Sequence, residues 1–137
     1  MRTMAVVCAA AMGLVLVGCK SAGPRPPSES CPGWEQAGST KALVKKKVQM
    51  IGDPEVDVRE MRCVMADGLL RIDVDIENDK SRNQPIEYRF DWYEPNGMSA
   101  GTEEPWKPVM LYPDEKRTIH TVAPSIQAQD FRLVIKR

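Results

Sequence analysis

Leu70-Arg-Ile-Asp-Val-Asp-Ile-Glu77 alternates one apolar with one charged residue over its whole length. Successive side chains of an extended strand point to opposite faces. Leu70, Ile72, Val74 and Ile76 therefore share one face, and Arg71, Asp73, Asp75 and Glu77 the other. Wound at helical period, the same apolar residues would scatter around the circumference. The run predicts a strand in a sheet solvated on one side. Just upstream, Ala66-Asp67-Gly68 offers an Asp-Gly pair, which takes the positive φ angles a tight hairpin needs. Val56–Met65 and Leu69–Asn78 are thus expected to pair.

Ile86-Glu-Tyr-Arg-Phe-Asp-Trp-Tyr93 repeats the pattern, with Ile86, Tyr88, Phe90 and Trp92 on the core side. It ends at Pro95-Asn96-Gly97, a turn signal. Further strands are expected over Ala42–Ile51, Trp106–Leu111, Arg117–Val122 and Phe131–Lys136, with one helical turn near Ser125–Gln129. Prolines at 85, 95, 105, 108, 113 and 124 fall between or at the margins of these strands, where a missing N–H is tolerated. Sustained helical periodicity with caps is not evident, and there is no internal repeat. The fold class this implies is all-β: an immunoglobulin-like antiparallel β-sandwich of about seven strands, with a small β-barrel as the alternative.

The chain has 137 residues, enough for one domain with a modest core. Its 19 basic and 19 acidic residues balance, which argues against a nucleic-acid binder. The apolar residues are concentrated at the start. Arg2 is the only charge before Lys20, and Met4–Gly18 is apolar or small throughout. A membrane-spanning helix needs roughly 20 such residues, so this stretch is short for a span and suits the apolar region of a secretory signal. It closes with Leu16-Val17-Gly18-Cys19, which resembles the lipobox of bacterial lipoproteins. The resemblance implies cleavage between Gly18 and Cys19 and acylation of Cys19. Two or more acyl chains anchor a protein stably where one does so only marginally. Lys20 rather than Asp after the lipidated Cys favours the outer membrane, with the protein facing the periplasm.

Residues 19–41 read as the lipidated Cys and a flexible tether. Pro, Gly and Ser make up half of residues 20–41, a composition that buries too little surface to offset its ordering entropy. As a coil, that stretch spans about 25 Å. Trp34 within it either docks on the domain or awaits a partner. Residues 42–137 would be the sandwich. With Cys8 discarded in the signal and Cys19 lipidated, Cys31 and Cys63 remain. In an oxidising compartment they are expected to form an internal disulfide; two free thiols, or a bridge to another chain, are the alternatives.

Leu70–Asn78, Tyr88-Arg-Phe-Asp-Trp-Tyr93, Asn96-Gly97, Trp106, Ala123-Pro124 and Asp130-Phe131-Arg132 together resemble the YcfL-like family of small envelope lipoproteins, over roughly residues 68–137. That resemblance implies a lipidated N-terminus, a β-sandwich-like domain and no established enzymatic activity. It also implies a cell-envelope role, by association with peptidoglycan synthesis.

Other constellations weigh less. Asp73, Asp75, Glu77 and Asp79 invite a calcium reading, but an EF-hand loop starting at Asp73 would need Gly at 78 and Glu at 84, where Asn78 and Gln84 stand. His120 is the only histidine, with no nucleophile motif to serve and too few partners for zinc. Lys41 and Lys45-Lys46-Lys47, read as a strand, would alternate between faces and make a solvated edge. The methionines outside the signal read as core filler. The expected function is therefore a non-enzymatic, outer-membrane-anchored periplasmic lipoprotein that binds or supports an envelope protein. It would use no cofactor, metal or small-molecule substrate. On the outward face of its strand, Arg89 and Tyr93, together with Trp34, are the candidate partner surface. The alternatives are an envelope hydrolase acting on wall or lipid, and a small-ligand-binding periplasmic module.

Overall fold

A computed structural model describes residues 25–137. Its strands are β1 Val48–Ile51, β2 Asp57–Ala66, β3 Leu69–Glu77, β4 Gln84–Tyr93, β5 Lys107–Leu111, β6 Lys116–Val122 and β7 Asp130–Lys136. They form two open sheets, ordered β1-β7-β4-β5 and β2-β3-β6. This is the expected two-layered sandwich, and no barrel closes. One pairing departs from the antiparallel expectation: β1 runs parallel to β7. The chain enters β1 directly from a helix and crosses to the other sheet afterwards, so no hairpin imposes the antiparallel direction.

The β2–β3 hairpin turns at Asp67 and Gly68, with φ of 54° and 76°. Leu70, Ile72, Val74 and Ile76 are all buried, as the alternation required. Opposite them in the other sheet, Phe90 lies 5.8 Å from Trp92 and 6.1 Å from Phe131 between ring centroids. These offset contacts fill the space between the layers. Pro108 lies on the edge strand β5, and Pro85 sits where β4 has only β5 beside it, so neither removes a bond from a doubly paired strand. The 125–129 segment is a turn, closed by Ala128 N–H donating to Ser125 O.

Three expectations fail. Ala42–Ile51 is not one strand. Residues Thr40–Lys47 form a helix, here α2, and only Val48–Ile51 extend. Ser39 caps it by accepting from Ala42 N–H at 3.2 Å, and Leu43 and Lys47, four residues apart, share its buried face. The lysines there are thus helical, with Lys45 and Lys46 exposed and Lys47 buried.

Residues 27–37 do not read as a flexible tether either. Pro27–Ser30 forms a 3-10 turn and Trp34–Ala37 a short helix, α1. Trp34 and Ala37 pack against the core, and Cys31 bonds to Cys63 of β2 with Cα atoms 4.8 Å apart. Composition averaged over the segment hides these few anchoring residues. Finally, among Met50, Met61, Met65, Met98 and Met110, only Met61 is core; the others are exposed.

The β6–β7 loop joins Val122, which faces Arg71, to Asp130, which faces Tyr93. The β2–β3 turn, the β4–β5 loop and the β6–β7 loop therefore share one end of the sandwich, here the turn end.

Candidate functional site

β4 alternates, so Glu87, Arg89, Asp91 and Tyr93 point away from the core across the outer face of the larger sheet. Arg89 stacks over the Trp106 ring, its guanidinium carbon 4.6 Å from the ring centroid. The Lys136 ammonium lies 4.1 Å from the same ring. One indole thus engages two cations, an arrangement its negative π face favours. Arg89 also pairs with Asp91 at 3.1 Å and with Glu103, and Lys136 with Glu87 at 3.1 Å. Val134, on this same outward side of β7, is only 2 % exposed. The Arg89 Nε is buried and makes no hydrogen bond of good geometry. Tyr93 continues the face, with the Arg132 guanidinium 6.0 Å from its ring.

The structure therefore places Arg89 and Tyr93 on one face and adds Trp106, Glu103 and Lys136 to it. In the sequence Trp106 stands only as the start of an expected strand and as part of the family resemblance, not as a surface residue. Parity gave no such signal: Trp106, Pro108 and Met110 are all apolar, the pattern of a core-facing side, and only the structure shows that side turned outward. Trp34 is not on this face. It lies on α1, half-buried against the core.

The outer face of the smaller sheet carries the acidic row. Arg62 grips Asp75 with two hydrogen bonds of 2.6 and 3.0 Å, and Thr118 donates to the same carboxylate at 2.6 Å. The Arg62 bonds hold the Asp75 carboxyl below its ordinary range, partly opposed by desolvation. Arg59 bonds Glu77 at 2.7 Å, and this contact raises the arginine's pKa further. His120 Nδ1 lies 2.7 Å from Asp73 on an open sheet surface. Asp73, Asp75 and Glu77 are each matched by a cation or donor on a neighbouring strand, and Asp79, beyond β3, by Lys80 beside it. Among the described residues, no group of three His, Cys, Asp or Glu side chains is placed to hold a metal. Gly18 and Cys19 lie outside the described residues.

Two open sheets packed over an aromatic core, with charged outer faces and a disulfide-tied helical segment, define a small β-sandwich module. The chain belongs to the family described as protein of unknown function (DUF1425), whose model matches residues 42–137. A crystal structure of a DUF1425 family member from Shewanella sp. pv-4 is similar, with 25% identity, a TM-score of 0.55, and coverage of 60% of this chain and 77% of that one. The Campylobacter jejuni protein cj0090 shares the fold at 19% identity and a TM-score of 0.55, over 66% of this chain and 96% of its own. No curated protein matches.

Proposed function

We propose that this protein is an outer-membrane lipoprotein, anchored through acyl chains on Cys19, whose sandwich works in the periplasm by docking an envelope protein rather than by catalysis. The resemblance to YcfL-like lipoproteins belongs to this reading, as does a role beside peptidoglycan synthesis. The Cys31–Cys63 disulfide supports it most directly. Such bonds persist in oxidising compartments, and this one ties down the first folded residues after the lipobox-like Leu16-Val17-Gly18-Cys19. In the Arg89–Trp106–Lys136 stack, Trp106 and Arg89 are held in place and are of the residue types enriched at interfaces.

Cys19→Ser should move the protein from the membrane fraction to the soluble periplasm and remove the acyl mass. Unchanged membrane retention rejects the anchor. Crosslinking in intact envelopes should then recover one envelope protein, with Arg89→Glu/Trp106→Ala lowering the yield at least tenfold. Turnover of a wall fragment by the purified domain, with no crosslinked partner, would reverse the docking reading in favour of a hydrolase.

A further inference from the structure

The turn end of the sandwich exposes Val64, Met65, Met98, Val122 and Ile126, each between 47 % and 67 % accessible. Val64 and Val122 flank Arg71 across the outer face of β3. Ile126 reaches over the hairpin to within 3.5 Å of the position a side chain on Gly68 would occupy. Pro27, the first residue of the 3-10 turn, lines the same shallow cleft as Val64 and Val122. The chain therefore enters the folded unit beside this apolar patch.

The same end carries uncommitted positive charge. Lys46 and Lys47 both approach Gly33: a side chain there would meet their ammonium nitrogens at 3.5 and 3.4 Å. Lys46 and Arg132 line one cleft with Tyr93 and Asp130. The nearest carboxylates are already engaged, Asp130 by Lys47 and Asp91 by Arg89, which leaves Lys46 and Arg132 facing solvent. Of the acidic groups nearby, Asp67 pairs with Arg71 at 3.5 Å. Glu94, Glu29 beside Pro27 and Glu35 beside Gly33 also lie at this end, so its charge is mixed, and Lys46 and Arg132 are its cations toward solvent. The opposite end also exposes Met50, Ile51, Met110 and Tyr112. There, however, Arg82 and Arg137 converge on Glu55, Lys80 pairs with Asp79 at 3.1 Å, and Arg117 bonds Glu115.

We propose that the turn end seats on the surface of the bilayer, its exposed valine, isoleucine and methionine side chains entering the headgroup region while Lys46 and Arg132 meet anionic lipid phosphates. The inference rests on the reading of Cys19 as the lipid anchor. Pro27 lies eight residues after Cys19, a covalent reach of at most about 28 Å. Turning the opposite end to the membrane would lift Pro27 by the length of β2 from Val64 to Asp57, about 23 Å, most of that reach. Seating the turn end brings Pro27 close to the surface, well within that reach, and buries apolar side chains that otherwise face water. It also leaves the Arg89–Trp106–Lys136 part of the larger sheet's outer face free for a protein partner.

The test uses the full, lipidated protein in vesicles of phosphatidylethanolamine and phosphatidylglycerol containing brominated lipid, which quenches indole emission by contact. Ile126→Trp and Tyr112→Trp place a probe at either end, both at exposed positions, and the unsubstituted protein gives the background from Trp34, Trp92 and Trp106. Most of the emission added by Ile126→Trp should be quenched, and that added by Tyr112→Trp should not. Protein that fails to float with the vesicles overturns both the anchor and the seating. Protein that floats, with equal quenching at the two positions or none at Ile126→Trp, overturns the seating alone.

Discussion

Asn78 is fully buried at the end of β3. Its amide N–H groups are shared among the carbonyls of Arg82, Leu111 and Tyr112 at 2.8, 3.2 and 2.9 Å, and its oxygen accepts from Lys80 N–H at 3.0 Å. A short polar side chain here stands in for the backbone pairing that ends with β3. Asn78→Ala leaves those carbonyls without a donor and should cost about 2–3 kcal/mol, read from the urea midpoint at unchanged slope. Asp75 acts through charge. Its folded pKa is depressed, so its contribution is complete above the unfolded value of about 3.9 and disappears as pH falls through the lower folded value. Asp75→Asn should reduce stability at pH 7 by about 1 kcal/mol, discounted for its partial exposure, and flatten the loss of stability below about pH 4. An equally steep acid limb in the variant would assign that limb to other carboxylates.

At the scale of elements, the helical segment before β1 is held by few contacts: the disulfide, Trp34, Leu43, and the buried Lys47 paired with Asp130. Gly33 and Gly38 take φ of 84° and 70° at the two ends of α1, which lets so short a helix turn back on itself. In the chain-entropy model, closing this loop stabilises the fold by about 3.7 kcal/mol. Cys31→Ser/Cys63→Ser should therefore lower stability by about 3 kcal/mol. Its amide exchange should accelerate first over residues 27–47 and only later in β3 and β4. Uniform acceleration would mean that the segment is integral to the sandwich. Ser39→Ala, which removes the cap of α2, should cost about 1 kcal/mol by thermal melting.

For the molecule as a whole, the packed unit among the described residues reaches back at least to Pro27, beyond residue 42. A chain beginning at residue 25 should melt with the full-length protein. One beginning at residue 42 loses the disulfide and the cover over Met61 and Cys63, and should melt well below it; equal melting temperatures would restore the later boundary. On the larger sheet, the candidate surface is assembled from residues far apart in the chain. Arg89 on β4, Trp106 before β5 and Lys136 on β7 meet only because β4 lies between the other two strands.

The sequence alone determined the strands whose apolar and charged residues alternate, because a period of two survives without any neighbour: β3 and β4 are read directly from Leu70–Glu77 and Ile86–Tyr93. The Asp67-Gly68 turn was equally legible, since those residue types tolerate the backbone angles the hairpin demands. Arg89 and Tyr93 were placed outward by the same parity argument. The tertiary structure decided what depends on contact between distant segments. Thr40–Lys47 is helical because Ser39 caps it and Leu43 and Lys47 find a buried surface. Trp34 packs inward, Trp106 receives its two cations, and β1 runs alongside β7, because burial and pairing are settled by which strands become neighbours in space.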